Sequence, residues 1–137
     1  DFKNIILPKL KWLTKEFKKA YPDKKVIYYS RNTHMSHLHE IQDENIDVLG
    51  VDWRHDIADV LNTFGKDYYI QGNFDPCWLH LTWDQCEMNL KEFYQNIVES
   101  NAPQDKWICG LGHGVLQHTP QQNVKNAIQY IHDNFKY

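Results

Sequence analysis

Residues 68–85, YYIQGNFDPCWLHLTWDQ, contain one complete structural unit and indicate the fold. Three β-prone residues, 68–70, predict a short strand. A polar stretch, 71–76, follows at once and carries Gln, Gly, Asn and Asp before a proline, which predicts a turn. Thr82 and Gln85 have the spacing of a capping box, which predicts that a helix begins there. A strand, a polar connection and a helix in this order form the repeating unit of an α/β fold.

The same unit recurs along the chain. Short apolar runs, rich in β-branched and aromatic residues, predict four strands, at 26–29, 48–51, 68–70 and 107–109. Apolar residues spaced by three and four predict five helices, around 6–17, 33–42, 57–64, 82–100 and 119–135. One helix followed by four strand–helix units implies right-handed crossovers and parallel strands. Because the strands are continuously apolar, we expect helices to cover the faces of the sheet.

Local signals refine three of these helices. Asp56 is the predicted N-cap of the third helix, and Gly65 ends it. Thr119 begins a second capping box, with Pro120 at the first helical position. The first helix carries an apolar stripe that we expect to face inward, made of Ile6, Leu10, Leu13 and Phe17.

The fold class is α/β, but a four-stranded parallel sheet fits two architectures, a small open sandwich and one half of an eight-stranded barrel. Periodicity alone leaves both open. With 137 residues, 42% of them hydrophobic and 24% charged, residues 1–137 are expected to form one globular unit. The chain begins at Asp1 without a methionine, so we expect it to be a piece of a longer protein.

Composition argues against several functions. A formal net charge of −3 argues against a nucleic-acid partner, and the lysines between positions 9 and 25 are interpreted as a solvated helix face. No apolar stretch is long enough to span a bilayer, and no signal peptide is visible. Cys77, Cys86 and Cys109 lack CxxC spacing, so we expect neither disulfides nor a zinc site, and a cytoplasmic location.

Polar or titratable residues follow every predicted strand. They are Ser30 to His34 after the first strand, Asp52 to His55 after the second, Gln71 to Pro76 after the third, and Gly110 to Gly114 after the fourth. The residues that precede the strands form no comparable cluster of candidate ligand-binding side chains. Because the carboxyl ends of parallel strands meet at one edge of the sheet, the sequence predicts a ligand site at that edge.

His113 is the strongest single candidate. Glycines on both sides, Gly112 and Gly114, would let the backbone approach a ligand, although a strand-end turn could require them as well. Asp52 and Asp75 are either an acid/base pair or residues that fix the turns by accepting backbone N–H bonds. The sequence leaves these alternatives open.

The motifs GVDW (50–53), QGNFDP (71–76) and LGHG (111–114), in this order and at these intervals, resemble the C-terminal half of uroporphyrinogen decarboxylase. Thr119-Pro120 and Asn123-Val124 extend the resemblance, which runs nearly from end to end. It implies that the chain is the C-terminal (βα)4 portion of a (β/α)8 TIM barrel. The activity implied is decarboxylation of the acetate side chains of uroporphyrinogen to coproporphyrinogen in haem biosynthesis, in a homodimer and without a cofactor or metal.

The resemblance also implies roles for individual residues. His113 would contact the tetrapyrrole substrate, with Gly112 and Gly114 as further substrate-binding candidates. Arg54 departs from the family, which more often has a small polar residue there, and is either a cation for substrate carboxylates or part of a surface salt bridge. Four residues would support the cleft through hydrogen bonds to the backbone: Asp52, Gln71, Asn73 and Asp75.

The family's arginine-bearing motif and its pyrrole-facing aspartate belong to the first half of the barrel. We therefore expect little or no turnover from this chain alone, and pairing either with an N-terminal half-barrel or with a second copy. One alternative is a non-catalytic interaction module that keeps only the fold. Another is a corrinoid-dependent methyltransferase domain, which the absence of His-x-Cys spacing disfavours.

Overall fold

Strands and helices alternate throughout the computed structural model, which describes residues 1–136. The elements are α1 (Leu7–Ala20), β1 (Ile27–Tyr29), α2 (Met35–Ile41), β2 (Val48–Gly50), α3 (Ile57–Phe64), β3 (Tyr69–Phe74), α4 (Trp83–Glu99), β4 (Trp107–Leu111) and α5 (Gln121–Asn134). A π-helical turn, Phe2–Ile6, precedes α1. The predicted order of one helix and four strand–helix units is confirmed.

The four strands form one parallel sheet in the order β1-β2-β3-β4. Each right-handed crossover advances in the same direction, so successive helices fall on the same face of the sheet. A doubly wound open sheet would instead need a reversal of strand order. The sequential order therefore decides between the two architectures, and the fold is the (βα)4 portion of a TIM barrel.

One face of the sheet is buried and the other is exposed, which corrects the expectation that helices cover both. Leu49 and Ile70, paired across β2 and β3, are fully buried against the helices. On the opposite face, Ile27 is 54%, Tyr69 44% and Ile108 39% exposed. In a closed barrel these side chains would fill the interior.

The core lies between the buried face of the sheet and the helices. Its members from α3 and α4 are Ile57, Ala58, Val60, Leu61, Phe64, Cys86, Leu90 and Ile97. Asp56 accepts hydrogen bonds from the amides of Ala58 and Asp59, so the predicted N-cap of α3 is confirmed. Gly65 ends α3, also as predicted.

The stripe predicted to bury α1 is largely exposed. Leu7 and Thr14 are the buried residues of α1, whereas Leu13 is 59% exposed and Ile6, just before the helix, is 50% exposed. The reason is topological, because α1 precedes β1, which is an edge strand within residues 1–136.

Two further details differ from the prediction. β3 continues through residues 71–74, which pair with β4, so the polar stretch is a strand and not a connection. α5 begins at Gln121 with Pro120 as the N-cap and without a side-chain cap; the Thr119 hydroxyl instead donates to the Leu116 carbonyl at 2.6 Å. A proline in the capping segment leaves no amide to complete a capping box.

Candidate functional site

A cleft of about 250 Å³ lies at the carboxyl ends of the strands, on the face of the sheet that the helices leave open. Every strand contributes to its lining, which consists of Tyr29, Gly50, Val51, Gln71, Leu111, His113 and Gly114. A larger groove of about 560 Å³ lies between β4 and α5, but its lining is apolar apart from His132. The smaller cleft is therefore the better candidate for chemistry.

His113 lies just beyond β4 and lines this cleft. Its Nδ1 atom is 2.9 Å from the carbonyl oxygen of Gly114, so Nδ1 donates the hydrogen bond. The edge of the ring meets Trp53, with 5.8 Å between the ring centroids. These two contacts orient the imidazole and leave Nε2 for a ligand, as an acceptor when neutral and as a donor when protonated.

The two glycines beside His113 occupy different surroundings. Gly112 is buried: its amide donates to the Phe74 carbonyl at 2.9 Å, and its own carbonyl accepts from the Tyr29 hydroxyl at 3.0 Å. A Cβ on Gly112 would collide with the backbone of Trp53 and Asn73. Gly114 lines the cleft, and a Cβ there would have open space around it. The close approach that Gly112 permits is thus to neighbouring backbone.

Asp52 is buried and its carboxylate is fully engaged. It accepts from the amides of Asn32 at 2.7 Å and Arg54 at 3.0 Å, and from the Arg54 guanidinium at 2.9 Å. Burial by itself raises the pKa of this carboxyl, but these hydrogen bonds and the Arg54 charge bring the pKa below its ordinary value. Asp52 therefore holds the loops after β1 and β2 together as a carboxylate.

Asp75 has different contacts from Asp52 and lines a different cleft. Its carboxylate accepts from the Cys77 amide at 2.9 Å and begins the 3₁₀ turn Pro76–His80. It lines a separate cleft beside Asp56 and Asn96. The structure thus places the two aspartates in turn-fixing contacts, and it does not bring them together as an acid/base pair.

Asn73 and Gln71 differ although both belong to the same motif. The Asn73 amide group donates to the carbonyls of Asp52 at 2.7 Å and His55 at 2.8 Å, which fixes the loop after β2. The Gln71 side chain lines the cleft and makes no hydrogen bond within residues 1–136; its backbone carbonyl accepts from Val51. Gln71 is therefore available to a ligand.

Three residues near the site were not among the predicted site residues. Tyr29 ends β1 and lines the cleft, His55 Nε2 contacts the Thr33 carbonyl at 2.7 Å, and Trp53 contacts His113. Their positions at the carboxyl ends of β1 and β2 were the feature of the sequence that could have identified them as site residues. Trp53 and His55 lie in the stretch after the second strand that the sequence marks, and Trp53 belongs to the GVDW motif, but their contacts with other loops are long-range, so the sequence does not reveal which side chains reach the site.

Other candidate sites are weaker. His37 stacks on Phe2 and His39 lies against Phe64, and no group of three metal-ligating side chains occurs within residues 1–136. Cys77, Cys86 and Cys109 form no disulfide bond in the described part of the chain. None of the helices in the described part of the chain is both long and apolar enough to cross a membrane.

Sequential parallel strands, helices on one face and a cleft at the carboxyl ends define part of a (β/α)8-barrel protein. The chain belongs to the uroporphyrinogen decarboxylase family, since the family model described as Uroporphyrinogen decarboxylase (URO-D) matches residues 1–134.

Curated relatives agree with this assignment. Uroporphyrinogen decarboxylase of Staphylococcus haemolyticus is 31% identical over 133 residues, which cover 97% of this chain and 37% of the relative. The Staphylococcus carnosus protein of that name is 34% identical over 137 residues, 99% of this chain and 37% of the relative. Uroporphyrinogen decarboxylase 2, chloroplastic, of Arabidopsis thaliana is 32% identical over 132 residues, which cover 94% of this chain and 31% of the relative. The chain thus spans about a third of their length.

Proposed function

We propose that residues 1–137 supply the last four βα units of a uroporphyrinogen decarboxylase, which converts the acetate side chains of uroporphyrinogen to methyl groups and yields coproporphyrinogen in tetrapyrrole biosynthesis. The observation that supports this most directly is the position of His113. It comes from the LGHG motif and lies on a cleft that all four strands line at their carboxyl ends. The family match over residues 1–134 agrees with it.

The reaction sets clear requirements for the site. When a pyrrole acetate loses carbon dioxide, the electron pair of the broken C–C bond must move into the ring, so the ring has to be protonated first. A carboxylate beside the ring would stabilise that cation. Hydrogen-bond donors and cations must also hold the other carboxylates of the substrate in place. The substrate itself accepts the electron pair, so the proposed reaction needs no cofactor.

This chain meets the binding requirement better than the catalytic one. Protonated His113 would donate from Nε2 to a substrate carboxylate, and the Gln71 amide would donate beside it. Asp52 cannot serve as the carboxylate that faces the ring, because both of its oxygens are engaged by Asn32 and Arg54. We therefore propose that the chain binds substrate but turns it over only as part of a complete barrel.

Completion of the barrel would come from an N-terminal half-barrel or a second copy of this chain. The exposed side chains of Ile27, Tyr69 and Ile108, together with the open edges of β1 and β4, are surfaces that such a segment would cover. The complete enzyme would then form a homodimer in the cytoplasm, a location that suits cysteines without disulfide bonds.

The test is reconstitution of activity. Uroporphyrinogen is incubated with this chain alone, and with this chain plus the N-terminal part of the Staphylococcus haemolyticus relative, and the carboxyl groups of the product are counted by chromatography. We expect coproporphyrinogen from the mixture and none from the chain alone. A folded, stable complex that binds substrate without releasing carbon dioxide would contradict the proposal and favour the non-catalytic module.

His113→Asn probes the site within that mixture. It removes the ring that lines the cleft, so kcat/KM should fall by about tenfold or more. His118→Asn is the matched control, because His118 is an exposed histidine of the same loop and asparagine tolerates its positive φ of 63°. Equal kcat/KM values for the two variants would show that His113 has no role in the site.

A further inference from the structure

Both arginines of the sequence lie against the same indole ring. The guanidinium carbon of Arg54 is 4.5 Å from the Trp53 ring centroid, and that of Arg31 is 5.4 Å from it. The other basic residues among the 15 lysines and arginines are all lysines. The two arginines come from different loops, after β1 and after β2, so the fold brings them together.

Arginine differs from lysine in ways that matter here. Its planar guanidinium stacks on aromatic rings and presents paired N–H donors that match the two oxygens of a carboxylate. Contact with Trp53 leaves the N–H donors of Arg31 available to a ligand, whereas one Arg54 nitrogen already donates to Asp52. Two arginines against one indole ring are thus suited to hold a carboxylate.

The Arg31 guanidinium has no carboxylate partner, in contrast to that of Arg54. Asp52 pairs with Arg54 at 2.9 Å, and its side chain is almost completely buried. Arg31 is exposed and has no hydrogen bond or ion pair within residues 1–136, apart from its contact with Trp53. His113 also contacts Trp53, with 5.8 Å between the ring centroids. Asp56 and Asp75 line a second cleft that Trp53 borders, but Asp56 caps α3 and Asp75 accepts from the Cys77 amide, so the Arg31 guanidinium keeps its donors free for a ligand.

We propose that Arg31 and Arg54, held by Trp53, form a carboxylate clamp at the rim of the cleft beside His113. The identity of its ligand as a polycarboxylate tetrapyrrole rests on the proposed function, whereas the capacity to bind a polycarboxylate does not. Arg54 is fixed by Asp52 and positions the clamp. Arg31 has free donors and makes the principal contact.

The clamp holds a carboxylate that is retained, not the one that is lost. An ion pair with the reacting carboxylate would stabilise it relative to neutral carbon dioxide and would raise the barrier to its departure. An ion pair with a spectator carboxylate stabilises the ground state and the transition state equally. Arg31 is therefore a substrate-binding residue whose loss should raise KM and leave kcat nearly unchanged.

The experiment uses mellitate, benzenehexacarboxylate, as the probe and titrates it into the 137-residue chain by calorimetry at low salt. Arg31→Gln should weaken binding by about five- to tenfold, and Arg31→Lys by less, since lysine keeps the charge but lacks the planar edge. Lys106→Gln is the matched control: Lys106 stacks on Tyr69, 4.6 Å from the ring centroid, at the opposite end of the sheet. It should bind mellitate as the unaltered chain does.

Either of two results overturns the clamp: no mellitate binding by the unaltered chain, or equal affinities for the Arg31→Gln and Lys106→Gln variants. The titration involves no turnover, so it remains readable if the decarboxylation assay fails. Conversely, a reconstituted decarboxylase whose KM is unchanged by Arg31→Gln would contradict the clamp and leave the proposed function intact.

Discussion

At the level of single residues, Gly112 packs directly against the backbone of β3 and of the loop after β2. An added Cβ would lie 2.8 Å from the Asn73 carbonyl oxygen and also against the Trp53 amide, and both are backbone atoms that cannot move aside cheaply. We predict that Gly112→Ala lowers the free energy of unfolding by about 2 kcal/mol or more, because the contact forces the backbone to shift. Urea denaturation measures the change.

Gly110→Ala is the matched control for this prediction. Gly110 lies two residues earlier in β4, and a Cβ there would meet no atom within 4 Å. Alanine should therefore change the unfolding free energy by less than about 1 kcal/mol, in the stabilising direction. Similar losses for the two variants would show that the close packing at Gly112 does not limit stability.

The sequence predicts individual site residues only where they occur in a local motif. His113 stands out because two glycines flank it, and Asp52 because it directly follows an apolar strand. Arg31 gave no such signal, since its partner Trp53 is in another loop. Gln71 and Asn73 are two residues apart in β3, and regular alternation along a strand would predict the same face for both. The Gln71 side chain nevertheless lines the cleft while the Asn73 amide group binds the backbone of the loop after β2, a difference that the sequence does not reveal.

At the scale of elements, Asp47 ties α1 to the beginnings of two strands. Its carboxylate accepts from Lys18 of α1 at 2.7 Å, Lys25 at 2.9 Å and the Val26 amide at 2.9 Å. Burial raises the pKa of Asp47, but hydrogen bonds from Lys18, Lys25 and Val26 outweigh it and lower the pKa from 3.8 to about 2. A lowered pKa stabilises the fold above the unfolded-state value and is lost as the pH falls.

We therefore predict that Asp47→Asn lowers the unfolding free energy by about 2 kcal/mol at neutral pH. The difference from the unaltered chain should persist down to about pH 4 and disappear as the pH falls through the folded-state pKa of about 2. Asp23→Asn, at a position whose side chain makes no hydrogen bond within residues 1–136, should have little effect. A difference that is constant from pH 5 to pH 2 would contradict this role of Asp47.

The order of elements was predictable because apolar periodicity reports local burial. The lengths of β3 and β4 were not, since residues 71–73 are polar and satisfy their backbone groups through a neighbouring strand. The exposed stripe of α1 was misassigned for a related reason. An apolar helix face shows that a surface is to be covered, but it does not identify the chain segment that covers it.

At the level of the whole molecule, the sheet is a half-barrel, and helices cover only one of its two faces. Helices cover one side, while Ile27, Tyr69 and Ile108 remain exposed on the side that a closed barrel would fill. The edges of β1 and β4 are unpaired within residues 1–136. These surfaces support the proposal that a complementary half-barrel covers them and completes the proposed substrate site.

Native mass spectrometry tests that claim most directly. It is applied to the 16.4 kDa chain alone and to its mixture with the N-terminal part of the Staphylococcus haemolyticus relative. We predict self-association of the chain alone and a one-to-one complex in the mixture. A folded chain that stays monomeric at every concentration and does not bind the added segment would contradict the half-barrel account.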